Sequence, residues 1–356
     1  MSRGALFVAP AHLQLSPVLL NGQSFRWKQW RTPHSFVGAA HGRLWMLTRV
    51  DSRIEWNVIA RHKATKNEDD ETVLRDYLQL RVAMDDLYIN WEKEAPMKTL
   101  LANDSTKGIR ILRQSPLECT LAFICSANNN IKRITRMVNR IAEIYGQQFN
   151  HVHDQSTFQE ISEDSPELIH DFPSLEELNV DGMEEKLRME GFGYRARYIQ
   201  ETVKSLQSRG GIRVLEELRS KTQQEARNAL LSLTGIGPKV ADCILLMSLD
   251  QHSVVPLDTH MWKVTRTFFL PSLPLQPSTN LHPSIREMYE KRLGEYAGWA
   301  QAVLFNVQLE KSREGKKEKG SEGRVDEVDG GKGGNSKSKG GNSKTKARVL
   351  GKRRNS

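Results

Sequence analysis

Two residues of this sequence combine reactive side chains with a setting suited to covalent chemistry: Lys239, and Asp258 nineteen positions later. The lysine ends the segment Leu233-Thr-Gly-Ile-Gly-Pro-Lys239. This segment is predicted to join a helix over 223–233 to one starting at Pro238, where proline suits the first helical turn. The pattern is a helix-hairpin-helix. Gly235 and Gly237 would let the chain turn tightly and bring backbone NH groups near an anion, and the second helix would point its positive end the same way, toward a DNA phosphate. A lysine attacks only when neutral, and partial burial together with the helix N-terminus is expected to lower its pKa. Asp258, in Val255-Pro-Leu-Asp-Thr-His260, is placed to cap the next helix with one carboxylate oxygen and to face developing positive charge with the other. Blander roles exist for both residues, a phosphate contact for Lys239 and a plain cap for Asp258. Cys243 and Met247 follow the lysine at four-residue steps and share its helix face. On its own, Cys243 reads as a small core residue.

The elements that must hold these residues fall into two groups. Five of the seven tryptophans lie in the first hundred residues. Short runs there, 24–30, 35–40, 43–50 and 54–60, are bounded by Gly, Pro, His or Asp and predict strands of an antiparallel sheet. Helices are expected over 71–83 and 87–101. From Pro116 the apolar residues recur at helical spacing, as in Ile131, Ile134, Val138, Ile141 and Tyr145. Capping-box patterns at Ser174–Glu177 and Thr222–Glu225 start further helices, and a last one is expected over 285–309. The fold class is therefore α+β: an N-terminal β-rich domain over 1–115, a helical domain over 116–310 and a Gly/Ser/Lys-rich tail over 311–356 expected to be unstructured. That tail carries 15 basic against 6 acidic residues, which accounts for the entire net charge of +9.

Three cysteines, Cys119, Cys125 and Cys243, are too few and too irregularly spaced for a disulfide framework or a four-cysteine metal site, so no metal or cofactor is expected. No stretch has the apolar length of a membrane span, and residues 1–17 lack the continuous apolar run of a secretory signal. A soluble protein of a reducing compartment is expected.

The hairpin and its aspartate, taken with Ser24-Phe-Arg-Trp27, Cys125-Ser-Ala-Asn-Asn-Asn130, Gly193-Tyr-Arg-Ala-Arg197 and Tyr296-Ala-Gly-Trp-Ala-Gln-Ala-Val-Leu-Phe305, resemble the eukaryotic 8-oxoguanine DNA glycosylases over about residues 5–310. Thr234, where proline is common, and Pro238 depart from that family's hairpin but keep its glycines. The iron-sulfur cysteines of related glycosylase branches are absent. The resemblance implies a bifunctional glycosylase and abasic-site lyase of base excision repair, acting through a lysine Schiff base on 8-oxoguanine paired with cytosine. It implies Lys239 as nucleophile with Asp258 beside it. It assigns Gly22, Cys243, Met247, Gln301 and Phe305 to the flipped base, with the Gly22 carbonyl accepting from the ring NH that only oxidised guanine has. Asn128, Arg133, Tyr194 and Arg195 are implied to wedge the duplex and satisfy the orphaned cytosine, and His260 joins Gly235 and Gly237 at the phosphates. The implied partner is double-stranded DNA containing 8-oxoguanine, bound by a monomer with no membrane contact. Nuclear localisation is expected from the basic run at 344–354, with a mitochondrial form left open. Two alternatives stand beside this reading: a glycosylase of the same fold for another damaged base, and a noncatalytic DNA-binding hairpin protein.

Overall fold

All six residues of Ser35–Ala40 are buried, which an antiparallel strand achieves only when both faces of its sheet are covered. In the computed structural model, which describes residues 2–62, 65 and 67–321, they form β3. Around it run β1 (Arg3–Phe7), β2 (Trp27–Gln29), β4 (Arg43–Val50), β5 (Arg53–Arg61) and the short β6 (His151–Val152). The sheet is antiparallel in the order β1-β5-β4-β3-β2, with β6 also pairing β5. Alternation sends Phe36 and Ala40 into one apolar layer with Trp27, Trp45, Trp56 and Tyr77, and Val37 and Ala39 into another with Trp30, Phe149, Phe158 and Ile161. β1 and β6 were not expected from the sequence. Of the run expected over 24–30, only Trp27–Gln29 pairs as strand.

Helices supply the rest: α1 (Leu15–Leu20), α2 (Asp70–Tyr77), α3 (Met84–Trp91), α4 (Ala95–Leu101), α5 (Pro116–Ser126), α6 (Ile131–Tyr145), α7 (Gln155–Asp164) and α8 (Leu175–Leu178) come first. They are followed by α9 (Met183–Met189), α10 (Arg195–Ser208), α11 (Arg213–Glu216), α12 (Gln223–Leu231), α13 (Pro238–Ser248), α14 (Thr259–Phe268), α15 (His282–Leu293) and α16 (Ala297–Ser321). Both predicted capping boxes form, at Ser174 and Thr222. Three expected helix extents need correction. The helix expected over 71–83 ends at Tyr77. The one over 87–101 is two helices, because Pro96 has no NH for an interior turn and takes a first-turn position instead. The one over 285–309 breaks at Gly294, whose φ of +76° is open to glycine at little cost, and its second half runs on to Ser321. The tail beyond Ser321 lies outside the described residues. Among those described, no helix is long and apolar enough to cross a membrane.

Residues Met1–Ser312 make up one packing unit. Within it, one helical core draws residues from both sides of position 115. Met84, Trp91, Met97 and Ile109 pack with Trp262, Tyr289 and Trp299 in one cluster, while α5, α6, α10, α12 and α13 build the other. Helix α13 lies at the junction. Its Cys243, Ile244 and Leu245 belong to one cluster and its Leu246 to the other.

Candidate active site

The turn between α12 and α13 owes its shape to Gly235, with φ +80° and Tyr198 so close that a Cβ would lie 2.7 Å from three of its side-chain atoms. The Thr202 hydroxyl donates to the Thr234 carbonyl at 2.9 Å and holds the same turn. Gly237 differs from expectation. Its φ of −88° is open to any residue, and a Cβ there would meet nothing within 4 Å. Folding therefore does not require glycine at 237, and the free space lies in front of the α13 N-terminus. Pro238 opens that helix as predicted.

Lys239, Cys243 and Met247 line one cavity of about 70 Å³, together with Gly22, Phe123, Asp258, Gln301 and Phe305. That volume corresponds to about two or three waters at ~30 Å³ each, far below the roughly 300 Å³ or more of a formed ligand pocket. A purine ring enters only if these side chains move apart. Lys239 Nζ stands 5.2 Å from the centroid of the Phe123 ring. Burial drives the lysine pKa down, but the hydrogen-bonded Cys243 sulfur and the Asp258 carboxylate outweigh it and hold the ammonium above its ordinary range. This corrects the expected lowering, because the Cys243 sulfur one turn along the helix and the carboxylate that shares the cavity both favour the charged form. Burial in turn pushes the Cys243 thiol up to about 11.

Asp258 is the N-cap of α14. Its Oδ1 accepts from the backbone NH groups of His260 and Met261, both at 2.9 Å, and Oδ2 takes neither bond. The divided role anticipated for this carboxylate is thus geometrically available. The exposed His260 ring stands edge-on to Phe305, with centroids 6.2 Å apart. Gln301 is buried one helical turn before Phe305 on α16. Gly22 has φ +91°, and a Cβ there would approach Ile131 Cδ1 to 3.3 Å. Its neighbour Asn21 donates to Asn306 on α16, linking the Gly22 turn to the helix of Gln301 and Phe305.

The expected wedge residues also converge. Asn128 is exposed with φ +47°, in the loop that Asn130 ends by capping α6. The Tyr194 hydroxyl donates to the Ala127 carbonyl at 3.2 Å, and Arg195 Nη2 donates to the carbonyls of Ala127 and Asn128. Arg133 reaches across to the Gly191 carbonyl at 3.0 Å. Singly these would read as surface side chains, yet Arg195 is only 3% exposed, with its guanidinium 4.5 Å from the Tyr194 ring centroid.

Residues 5–120 match the N-terminal domain of 8-oxoguanine DNA glycosylase, and residues 121–276 match the helix-hairpin-helix superfamily of base excision DNA repair proteins. The N-glycosylase/DNA lyase OGG1 of Arabidopsis thaliana is 40% identical over 293 residues, covering 81% of this chain and 75% of that relative. The chain belongs to the 8-oxoguanine DNA glycosylase family. It is a DNA N-glycosylase with lyase activity. The N-glycosylase/DNA lyase of Saccharomyces cerevisiae is 34% identical over 339 residues, covering 86% of each chain. Among solved structures, the Clostridium acetobutylicum 8-oxoguanine glycosylase/lyase, bound to double-stranded DNA with cytosine opposite 8-oxoguanine, superposes with a TM-score of 0.69 at 25% identity. That match covers 84% of this chain and 93% of the bacterial one.

Several residues that complete the cavity of this glycosylase went unread in the sequence. Phe123 lies in the apolar second half of α5, where nothing distinguishes it from its core neighbours. Pro17, Ile109 and Pro256 also line the cavity, and each comes from a different connection or helix end. Asn306, one residue past Phe305, carried a usable signal: a polar side chain within the apolar run of the last helix.

Proposed function

We propose that this glycosylase excises 8-oxoguanine lying opposite cytosine in duplex DNA through a Schiff base on Lys239. The observation that carries the reading is the convergence of Lys239, Asp258, Gly22, Gln301 and Phe305 on one cavity from four separate regions of the chain. A hairpin serving only phosphate contacts has no need of a lysine and a carboxylate facing one cavity. The turn at Gly235 and Gly237, with His260 nearby, holds the DNA backbone at the positive end of α13. The damaged nucleotide leaves the stack at a cost of a few kcal/mol, and the small cavity opens to receive it between Phe305, Cys243 and Met247. The Gly22 carbonyl then accepts from the ring NH of the oxidised base, and Gln301 reads its pairing edge.

Lys239 must first lose a proton. Its Nζ then forms a bond to C1′ as the N-glycosidic bond breaks, and the base departs with the bonding pair and takes up a proton. Asp258 Oδ2 opposes the positive charge that develops on the sugar. Opening of the sugar ring leaves a Schiff base, from which loss of a proton beside the imine carbon expels the 3′ phosphate. On the far strand, Asn128, Arg133 and Arg195 offer donors and an acceptor to the orphaned cytosine, while Tyr194 fills the gap. The protein works as a monomer, and the basic tail directs it to the nucleus.

The test is borohydride trapping on an 8-oxoguanine:cytosine duplex. Wild-type protein is expected to form a covalent adduct. Lys239→Gln keeps length and polarity but cannot attack, so it should form none while still binding the lesion. A trapped Lys239→Gln adduct forming at the wild-type rate would overturn the assignment.

A further inference from the structure

The loop 127–130 at the head of α6 and the turn 191–194 at the head of α10 meet along a seam fastened at three levels. At the tip, Tyr194 and Arg195 donate to the carbonyls of Ala127 and Asn128. Next, Arg133 donates to the Gly191 carbonyl at 3.0 Å. Two helical turns further along α6, Arg140 closes a fork on Glu190, with Nε to Oε2 and Nη2 to Oε1 both 2.8 Å, while its Nη1 donates to Glu143 at 2.7 Å. Glu190 is the C-cap residue of α9 and directly precedes Gly191, so the fork grips the base of the turn that carries Tyr194.

The upper fastenings are engaged in the DNA-free protein. Arg133 and Arg195 both give guanidinium donors to main-chain carbonyls, and those donors must be redirected if they are to meet an unpaired base. Redirecting them removes the two upper arginine fastenings and leaves only the single Tyr194 to Ala127 bond at the tip. Of the arginine fastenings, the Arg140–Glu190 fork is the one that the exchange leaves untouched. A bidentate guanidinium–carboxylate pair fixes orientation as well as distance, which a single contact does not. The pair is part-exposed, with side chains 39% and 22% accessible, so its contribution to overall stability is small.

We propose that Arg140 and Glu190 are positioning residues for opposite-base selection, holding α6 and the Gly191–Tyr194 turn at fixed spacing while Arg133 and Arg195 trade their carbonyls for the orphaned base. The inference rests on the proposed pairing of Asn128, Arg133 and Arg195 with cytosine. Both partners keep hydrogen-bonding capacity in Arg140→Gln and Glu190→Gln; the singles also remove the ion pairs of Arg140 with Glu143 and of Glu190 with Lys186, and comparison with the double variant isolates the fork.

The measurement is the single-turnover excision rate of 8-oxoguanine opposite cytosine and opposite adenine, together with trapping on a duplex holding a preformed abasic site. Each single variant should lower the cytosine-over-adenine ratio about three- to tenfold, and the double should lose no more than the larger single, the mark of two residues acting as one unit. Abasic-site trapping and the melting temperature should stay at wild-type values. A ratio within about twofold of wild type in both singles, an equal loss on both duplexes, or multiplied losses in the double would each overturn the proposal. If wild-type protein itself lacks a cytosine preference, the underlying reading fails and this one falls with it. A wild-type preference that both variants retain defeats the fork alone.

Discussion

Asp258 caps a helix and, in the proposed mechanism, faces the sugar, two tasks that a conservative substitution can separate. Oδ1 accepts the NH groups of His260 and Met261 at 2.9 Å each, so the residue anchors the first turn of α14. Asparagine ranks beside aspartate as an N-cap, and Asp258→Asn should change stability by roughly 0.5 kcal/mol or less, whereas Asp258→Ala should lose about 1–2 kcal/mol. For a unit of this size the alanine loss is a fall in Tm of about 2–4 °C per kcal/mol or slightly less. The catalytic effect has the opposite ranking, because both variants lack the charge that faces the sugar. Loss of a preorganised electrostatic partner costs about 2.7–4 kcal/mol in the transition state, or roughly 10²–10³ in rate. One term opposes that loss. Asp258 is among the groups holding the Lys239 ammonium above its ordinary range, so its neutralisation makes the lysine easier to deprotonate. The defect of Asp258→Asn should therefore be smallest near neutral pH and grow as pH rises and Lys239 becomes neutral in both proteins. Single-turnover excision across pH 6–10, with thermal melting of both variants, reads each quantity. Wild-type excision by Asp258→Asn throughout that range, with an intact melting temperature, would refute the electrostatic role; melting as low as Asp258→Ala would refute the capping argument.

Excision should rise with pH until Lys239 is neutral, and Cys243→Ser should shift that limb to lower pH by weakening a contact that holds the ammonium against burial. A limb at the wild-type position would show that Cys243 does not tune the lysine. Gly22→Ala places a side chain at φ +91° with its Cβ 3.3 Å from Ile131, which should cost about 1–2 kcal/mol in backbone strain and reduce the selection of oxidised over normal guanine. The ratio of the two excision rates checks it, and an unchanged ratio speaks against the Gly22 carbonyl as the discriminating acceptor. Deletion of residues 311–356 removes 15 basic and 6 acidic side chains and should flatten the salt dependence of binding to undamaged DNA. Titrations at several salt concentrations would show the slope, and nuclear accumulation of the truncated protein in cells tests the localisation.

The helix-hairpin-helix, both capping boxes, the proline start of α13 and the Asp258 cap were legible in the sequence because each depends on residues within a few positions of one another. Helical periodicity put Lys239, Cys243 and Met247 on one face for the same reason. Resemblance to the family then proposed roles for Gly22, Gln301 and Phe305, which spacing alone would have left as a turn glycine and core side chains; the structure brings all three to one cavity. Where local signals conflicted, boundaries shifted: Gly294 and Pro96 broke runs whose apolar pattern was continuous, and β1 and β6 carried too little pattern to find. The upward shift of Lys239 draws on both levels: Cys243, one helical turn away and legible in the sequence, gives the larger raising contact, and the fold adds the Asp258 carboxylate in the same cavity. Tertiary structure alone decided that Phe123 forms a wall of that cavity, that Arg195 is buried against the Ala127 carbonyl, and that Arg140 meets Glu190 fifty residues away. Sequence fixes what lies within a helical turn; contacts between segments depend on how the helices pack, and the electrostatics of a buried group is the sum of those contacts.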